Sequence, residues 1–78
     1  MTVEERVINV TAKVLHMDPT EITLDKSFTE DLGAQSVQSI ELVAAFEEEF
    51  DIEMDEDEAL AVTTVGGAVN YIKTYLDK

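Results

Sequence analysis

Few side chains in this sequence are equipped for chemistry. It has one histidine, His16, no cysteine, and five basic residues against 18 acidic ones. A serine nucleophile needs a base beside it, and the spacing places none next to any serine. Paired carboxylates serve glycoside hydrolysis, yet 78 residues are too few to enclose a sugar. The run Asp51, Glu53, Asp55, Asp57 alternates like a calcium loop. It fails because Glu56 stands where the turn needs glycine and Val62 where the bidentate glutamate belongs, so no metal site is expected. Gly66-Gly67 lacks the spacing and the lysine of a phosphate-cradling loop. What remains is Ser36, at the expected start of a helix and just after the turn that Gly33 permits. There its hydroxyl either caps the helix, as serines in such places usually do, or carries a modification. A phosphate ester at this point would meet free amides and the positive end of the helix dipole.

The elements that position Ser36 follow from periodicity. Thr2 and Glu5 form a capping-box pattern ahead of Val3, Val7, Val10 and Val14, widened by Ile8 and Leu15, which predicts a first helix over Val3 to His16. His16 falls in its last turn, where an imidazole suits the negative helix end and has no catalytic role. Asp18-Pro19 closes the helix, since the residue before proline is driven out of the α region. Residues 20–35 then read as a long loop anchored by Phe28 and Leu32. A second helix is predicted from Ser36, as N-cap, to Asp51. Ser39, Leu42, Val43, Phe46 and Phe50 share its core arc. Residues 52–63 suggest a short connecting helix, and a last helix runs from a Thr64 cap to about Leu76 with Val65, Ala68, Val69, Ile72 and Leu76 on one face. Gly66 and Gly67 in its first turn are anomalous, because glycine costs about 1 kcal/mol relative to alanine in a helix interior. No strand pattern emerges. The expected fold class is all-α, a four-helix bundle of three main helices plus a short third helix, with a long loop between helices one and two and residues 1–78 as one domain.

The formal charge is −13, and it is concentrated. Residues 30–58 contain twelve acids and no base. Self-repulsion in so small a domain is a cost that suggests a use. On the second helix, Val37, Ile40 and Ala44 lie opposite the core arc, ringed by Glu41, Glu47, Glu48 and Asp51. Apolar side chains rimmed by carboxylates have the makings of a docking face for a basic partner, with charge steering the encounter and the aliphatics supplying burial. Scattered exposed aliphatics are the plainer explanation. So acidic a chain is not expected to bind nucleic acid, whose phosphates would repel it. No apolar run nears the about 20 residues of a membrane span. The N-terminus has no secretory pattern of basic segment and apolar core, so a cytoplasmic protein is expected.

The segment Asp31-Leu32-Gly33-Ala34-Gln35-Ser36-Val37, followed by Ile40-Glu41-Leu42-Val43 and Phe46-Glu47-Glu48-Glu49-Phe50, resembles an acyl carrier protein. The resemblance extends over most of the chain, including the Val3 to Val14 helix, the Asp18 to Phe28 loop, and Thr63-Thr64-Val65 with Tyr71-Ile72. It implies a non-enzymatic carrier with 4′-phosphopantetheine on Ser36, attached from coenzyme A by a phosphopantetheinyl transferase that holds magnesium. Acyl groups would ride as thioesters on the thiol of that arm. The resemblance further implies docking on acyl-transferring and acyl-processing enzymes through Val37, Ile40, Glu41, Ala44, Glu47 and Glu48, in a fatty-acid or specialised acyl or polyketide pathway. A monomer is expected. The interior around Val7, Phe28, Leu42, Phe46, Ala59, Ala68 and Ile72 would part to shelter the acyl chain.

The motif departs from the family at one informative place. Family members usually read Asp-Ser-Leu, where this chain has Gln35-Ser36-Val37, and Gln38 is neutral where an acid is common. The absent aspartate normally helps the transferase position its metal and basic groups. These changes point to a specialised carrier. The alternative is an unmodified acidic module that docks on basic partners and holds no thioester.

Overall fold

The computed structural model describes residues 1–77; Lys78, the last residue of the expected 1–78 domain, lies outside the described residues. Four α-helices account for most of the chain: α1 (Val3–Leu15), α2 (Ser36–Phe50), α3 (Glu56–Ala61) and α4 (Val65–Leu76). The all-α bundle with a short third helix is therefore the observed architecture. Among the described residues the extended pairing is confined to an isolated bridge between Ser27 and Thr64.

The Thr2–Glu5 capping box forms as its sequence pattern predicts. Glu5 N–H donates to Thr2 Oγ1 at 3.1 Å, and Thr2 N–H donates to the Glu5 carboxylate at 3.0 Å. The helix stops one residue earlier than expected. His16 is not in the last turn but is the left-handed cap, at φ 57°, with its amide bonded to the Ala12 carbonyl. Termination thus precedes the proline, whose own contribution is to open a 3-10 turn over Pro19–Glu21. Asp51 ends α2 in the same left-handed way, at φ 53°.

α1 packs against α2 and α4, and α2 packs against α3. The shared interior holds Val7, Leu42, Phe46, Phe50, Val65, Val69 and Ile72, with Ile22, Phe28 and Ala34 contributed by the long loop. Each large side chain so enclosed contributes about 1.5–3 kcal/mol relative to exposure. Thr11, buried among them, satisfies its hydroxyl on the Val7 carbonyl at 2.8 Å.

The long loop is held by its backbone as well as by Phe28. Phe28 N–H donates to the Thr63 carbonyl at 2.9 Å, Val65 N–H to Lys26 at 3.0 Å and Gly66 N–H to Leu24 at 2.8 Å. These bonds fasten the loop to the start of α4 and supply partners for amides that a helix N-terminus leaves free. Leu32 is only half-buried; the tighter second anchor is Ala34, whose amide donates to the Phe28 carbonyl at 2.8 Å. Gly33, at φ 73°, makes the turn between them in a conformation that favours glycine.

Candidate functional site

Ser36 is exposed and is the first residue of α2, not its cap. Gln35 occupies the cap position in extended conformation, and its amide donates to the Gln38 side chain at 2.9 Å. Serine is the stronger capping residue by type, which is why the expected cap falls on Ser36. The reciprocal partner three residues on, Gln38, is the signal that would have corrected it. The consequence for chemistry is direct. The Ser36 hydroxyl is not occupied in capping. It stands in the first turn of a helix with no acidic residue there to offset the positive dipole end.

The outward side of α2 is as its periodicity predicts. Val37 is 66% exposed and Ile40 51%, and Ala44, Glu41 and Glu48 are exposed as well. Glu47 differs. It is half-buried, and its carboxylate accepts the Met54 amide at 2.9 Å, so it holds the chain after α2. The acid-rich stretch also gains one base from elsewhere. Arg6 on α1 reaches Glu49 with Nε to the carboxylate at 2.8 Å and Nη2 to the carbonyl at 2.7 Å, while its guanidinium stacks 4.4 Å over the Phe50 ring. Among the described residues the other ion pair joins Lys73 to Glu4, leaving Glu41 and Glu48 without a basic partner.

Beneath this helix lies a cavity of about 100 Å³ bounded by α2, α3, α4 and the loops between them. Six of the seven expected interior residues line it: Phe28, Leu42, Phe46, Ala59, Ala68 and Ile72. Val7 does not, because α1 packs on α2 and α4 and leaves α3 to close the cavity. Ser39, also on the wall, is one turn beyond Ser36, which is about 4.5 Å of helix rise.

Tyr71 lines the same cavity and was not singled out as functional in the sequence. Its hydroxyl donates to the Glu58 carboxylate at 3.0 Å and lies 2.9 Å from that of Tyr75. Partial burial, then the bonds to Tyr75 and Glu58, push its phenol above the ordinary value of 10.0. The clue was the spacing of Tyr71 and Tyr75, four apart on one helix face. Among the described residues no cluster of acids or His16 forms a metal site.

The comparisons with known proteins fit this geometry. A family described as the phosphopantetheine attachment site matches residues 5–72. An acyl carrier protein of Clostridium acetobutylicum is 49% identical over 74 residues, covering 95% of this chain and 96% of that protein. A solved structure provisionally assigned as an acyl carrier protein, from Mycobacterium tuberculosis, superposes with a TM-score of 0.87 at 27% identity, covering 94% of this chain and 97% of that one. The helical bundle and its matching segment define a phosphopantetheine-bearing carrier domain. The chain belongs to the acyl carrier protein family. It is a carrier and not an enzyme, its cofactor is covalently attached 4′-phosphopantetheine, and its partners include a phosphopantetheinyl transferase and acyl-processing enzymes. Among the described residues no helix is long and apolar enough to cross a membrane.

Proposed function

We propose that Ser36 bears the 4′-phosphopantetheine arm and that the chain, over 1–78 as one carrier domain, delivers acyl thioesters in a fatty-acid or specialised acyl or polyketide pathway. The observation that carries this reading is the placement of an exposed, uncapping hydroxyl in the first turn of α2. In the attachment step the Ser36 oxygen forms a bond to the phosphorus nearer the pantetheine in coenzyme A. The pyrophosphate bond breaks, the nucleotide leaves, and the hydroxyl proton passes to a base of the transferase. The new phosphodiester is an anion beside the positive end of α2, which stabilises the product. The chain contributes no thiol of its own, so the terminal thiol of the arm is the acyl acceptor.

Docking runs over Val37, Ile40 and Ala44, with Glu41 and Glu48 steering basic patches of the partner enzymes. Glu47 contributes negative charge at the edge while its carboxylate stays bonded to Met54. The carrier works as a monomer in the cytoplasm. The cavity beneath α2 receives the acyl end of the arm, entered from the side of Ser39. The neutral Gln35 and Gln38 select a transferase that does not rely on an acid beside the serine.

Incubation of the protein with coenzyme A, magnesium and several transferases tests this. A single pantetheine-phosphate adduct that is absent from Ser36→Ala supports the carrier. A chain left unmodified by all of them, yet still binding basic partner proteins, is the acidic interaction module instead.

A further inference from the structure

We propose that Tyr71 is a positioning residue that determines which acyl chain length the carrier shelters, by fastening α3 across the cavity. This rests on the reading that the cavity receives the acyl end of the arm. None of the residues of α3 is buried, so packing alone holds this six-residue helix weakly. Yet Ala59 and Leu60 of α3 form part of the cavity wall. The backbone of α3 packs on α2; hydrogen bonds tie α3 and its cap to α4 through the side chains of Tyr71 and Tyr75.

The link is made by hydroxyls. The Tyr71 hydroxyl faces the Glu58 carboxylate at 3.0 Å and, more distantly, the Asp55 carbonyl at 3.5 Å. The two phenol oxygens lie 2.9 Å apart, within hydrogen-bond distance of each other. The Tyr75 oxygen in turn accepts the Asp55 amide at 3.2 Å, and the Asp55 carboxylate caps the Glu58 amide at 3.0 Å. Asp55, Tyr75, Tyr71 and Glu58 thus form a closed ring of hydrogen-bonded residues that passes twice between α4 and the start of α3. Bonds linked in a network reinforce one another. Edge-to-face packing of the two rings, with centroids 5.2 Å apart, fixes the phenols in place.

With α3 so fastened, the cavity is small. An apolar cavity of roughly 150 Å³ takes benzene, six carbons, so about 100 Å³ accommodates an acyl chain of about four. A longer chain is sheltered along its whole length only if α3 moves. Tyr71→Phe keeps the ring and its packing while removing the hydroxyl that bonds to Glu58 and to Tyr75.

Two measurements test this. In the unmodified protein, amide exchange in α3 should accelerate about ten-fold or more in Tyr71→Phe, as the loss of the two bonds made by that hydroxyl requires, while core amides of α1 and α4 stay protected. Unchanged exchange in α3 overturns the clasp, whatever the state of Ser36. In butyryl- and octanoyl-loaded protein, cleavage of the thioester by hydroxylamine should be slowed for butyryl only; in Tyr71→Phe cleavage of the octanoyl thioester should slow about three-fold or more. Faster butyryl cleavage with octanoyl cleavage unchanged identifies Tyr71 as merely structural and overturns the proposal. Glu58→Ala, which cuts the same link from the exposed side, replaces Tyr71→Phe if that variant does not fold. If no transferase adds an arm, the carrier reading fails while the exchange measurement still decides the clasp.

Discussion

Gly66 donates its amide hydrogen to the Leu24 carbonyl at 2.8 Å, and a Cβ on Gly66 would lie 2.9 Å from that same oxygen. The long loop and the start of α4 are pressed together at a point where no side chain fits. Helix propensity alone predicts that Gly66→Ala gains about 1 kcal/mol. The obstructing atom is backbone, however, and overpacking costs about 1–3 kcal/mol. Gly66→Ala should therefore lower the melting temperature. Gly67→Ala should be better tolerated, because its nearest neighbours are side-chain atoms of Thr64 and Val62. Thermal unfolding of both variants checks the order.

That contact also shows where sequence reading stops. Periodicity exposed α1, α2 and α4 because each needs one apolar face, and those faces are local in the chain. The glycine pair was legible only as an anomaly, since its cause is Leu24, on a distant loop. Arg6 likewise meets Glu49 across 43 positions, so a count of charges within residues 30–58 could not reveal this compensating base. At the site, the outward placement of Val37, Ile40, Glu41, Ala44 and Glu48 was legible from helical spacing. The separate task of Glu47, which depends on where the chain turns after Asp51, was not.

The capping box of α1 should respond to acid with a definite sign. Glu5 is held below its ordinary value of 4.5, first by the Thr2 amide and then by the Thr2 hydroxyl. A depressed carboxylate contributes stability that is complete above its unfolded value and is lost as pH falls through the folded one. The difference in melting temperature between the natural chain and Glu5→Ala should be largest above about pH 4.5 and shrink in stronger acid. A difference that grows on acidification would contradict the assignment.

Glu47 and Glu48 are neighbours with different work, and substitution should separate them. Glu47→Ala removes the acceptor of the half-buried Met54 amide and should cost about 1 kcal/mol of stability. Glu48→Lys should leave stability unchanged or raised, because it relieves repulsion in the acidic stretch. Its effect should fall on the rate of association with a basic partner enzyme, most visibly at low salt. Denaturant titration and stopped-flow binding distinguish the two.

Attachment of the arm should itself steady α2. The first turn has no acidic residue, so a phosphodiester on Ser36 would be the first anion at that helix end. The modified protein should exceed the unmodified one by about 0.3–1 kcal/mol, with a gain that shrinks as salt is added. Paired melts at low and high ionic strength provide the comparison.

The most direct measurement is a fragment-mass map of the protein after reaction with coenzyme A and an active transferase. One phosphopantetheine ester is expected, on the peptide containing Ser36 and localised to that residue, with Ser27 and Ser39 untouched. An ester on either of those serines, or none with any transferase, would contradict it.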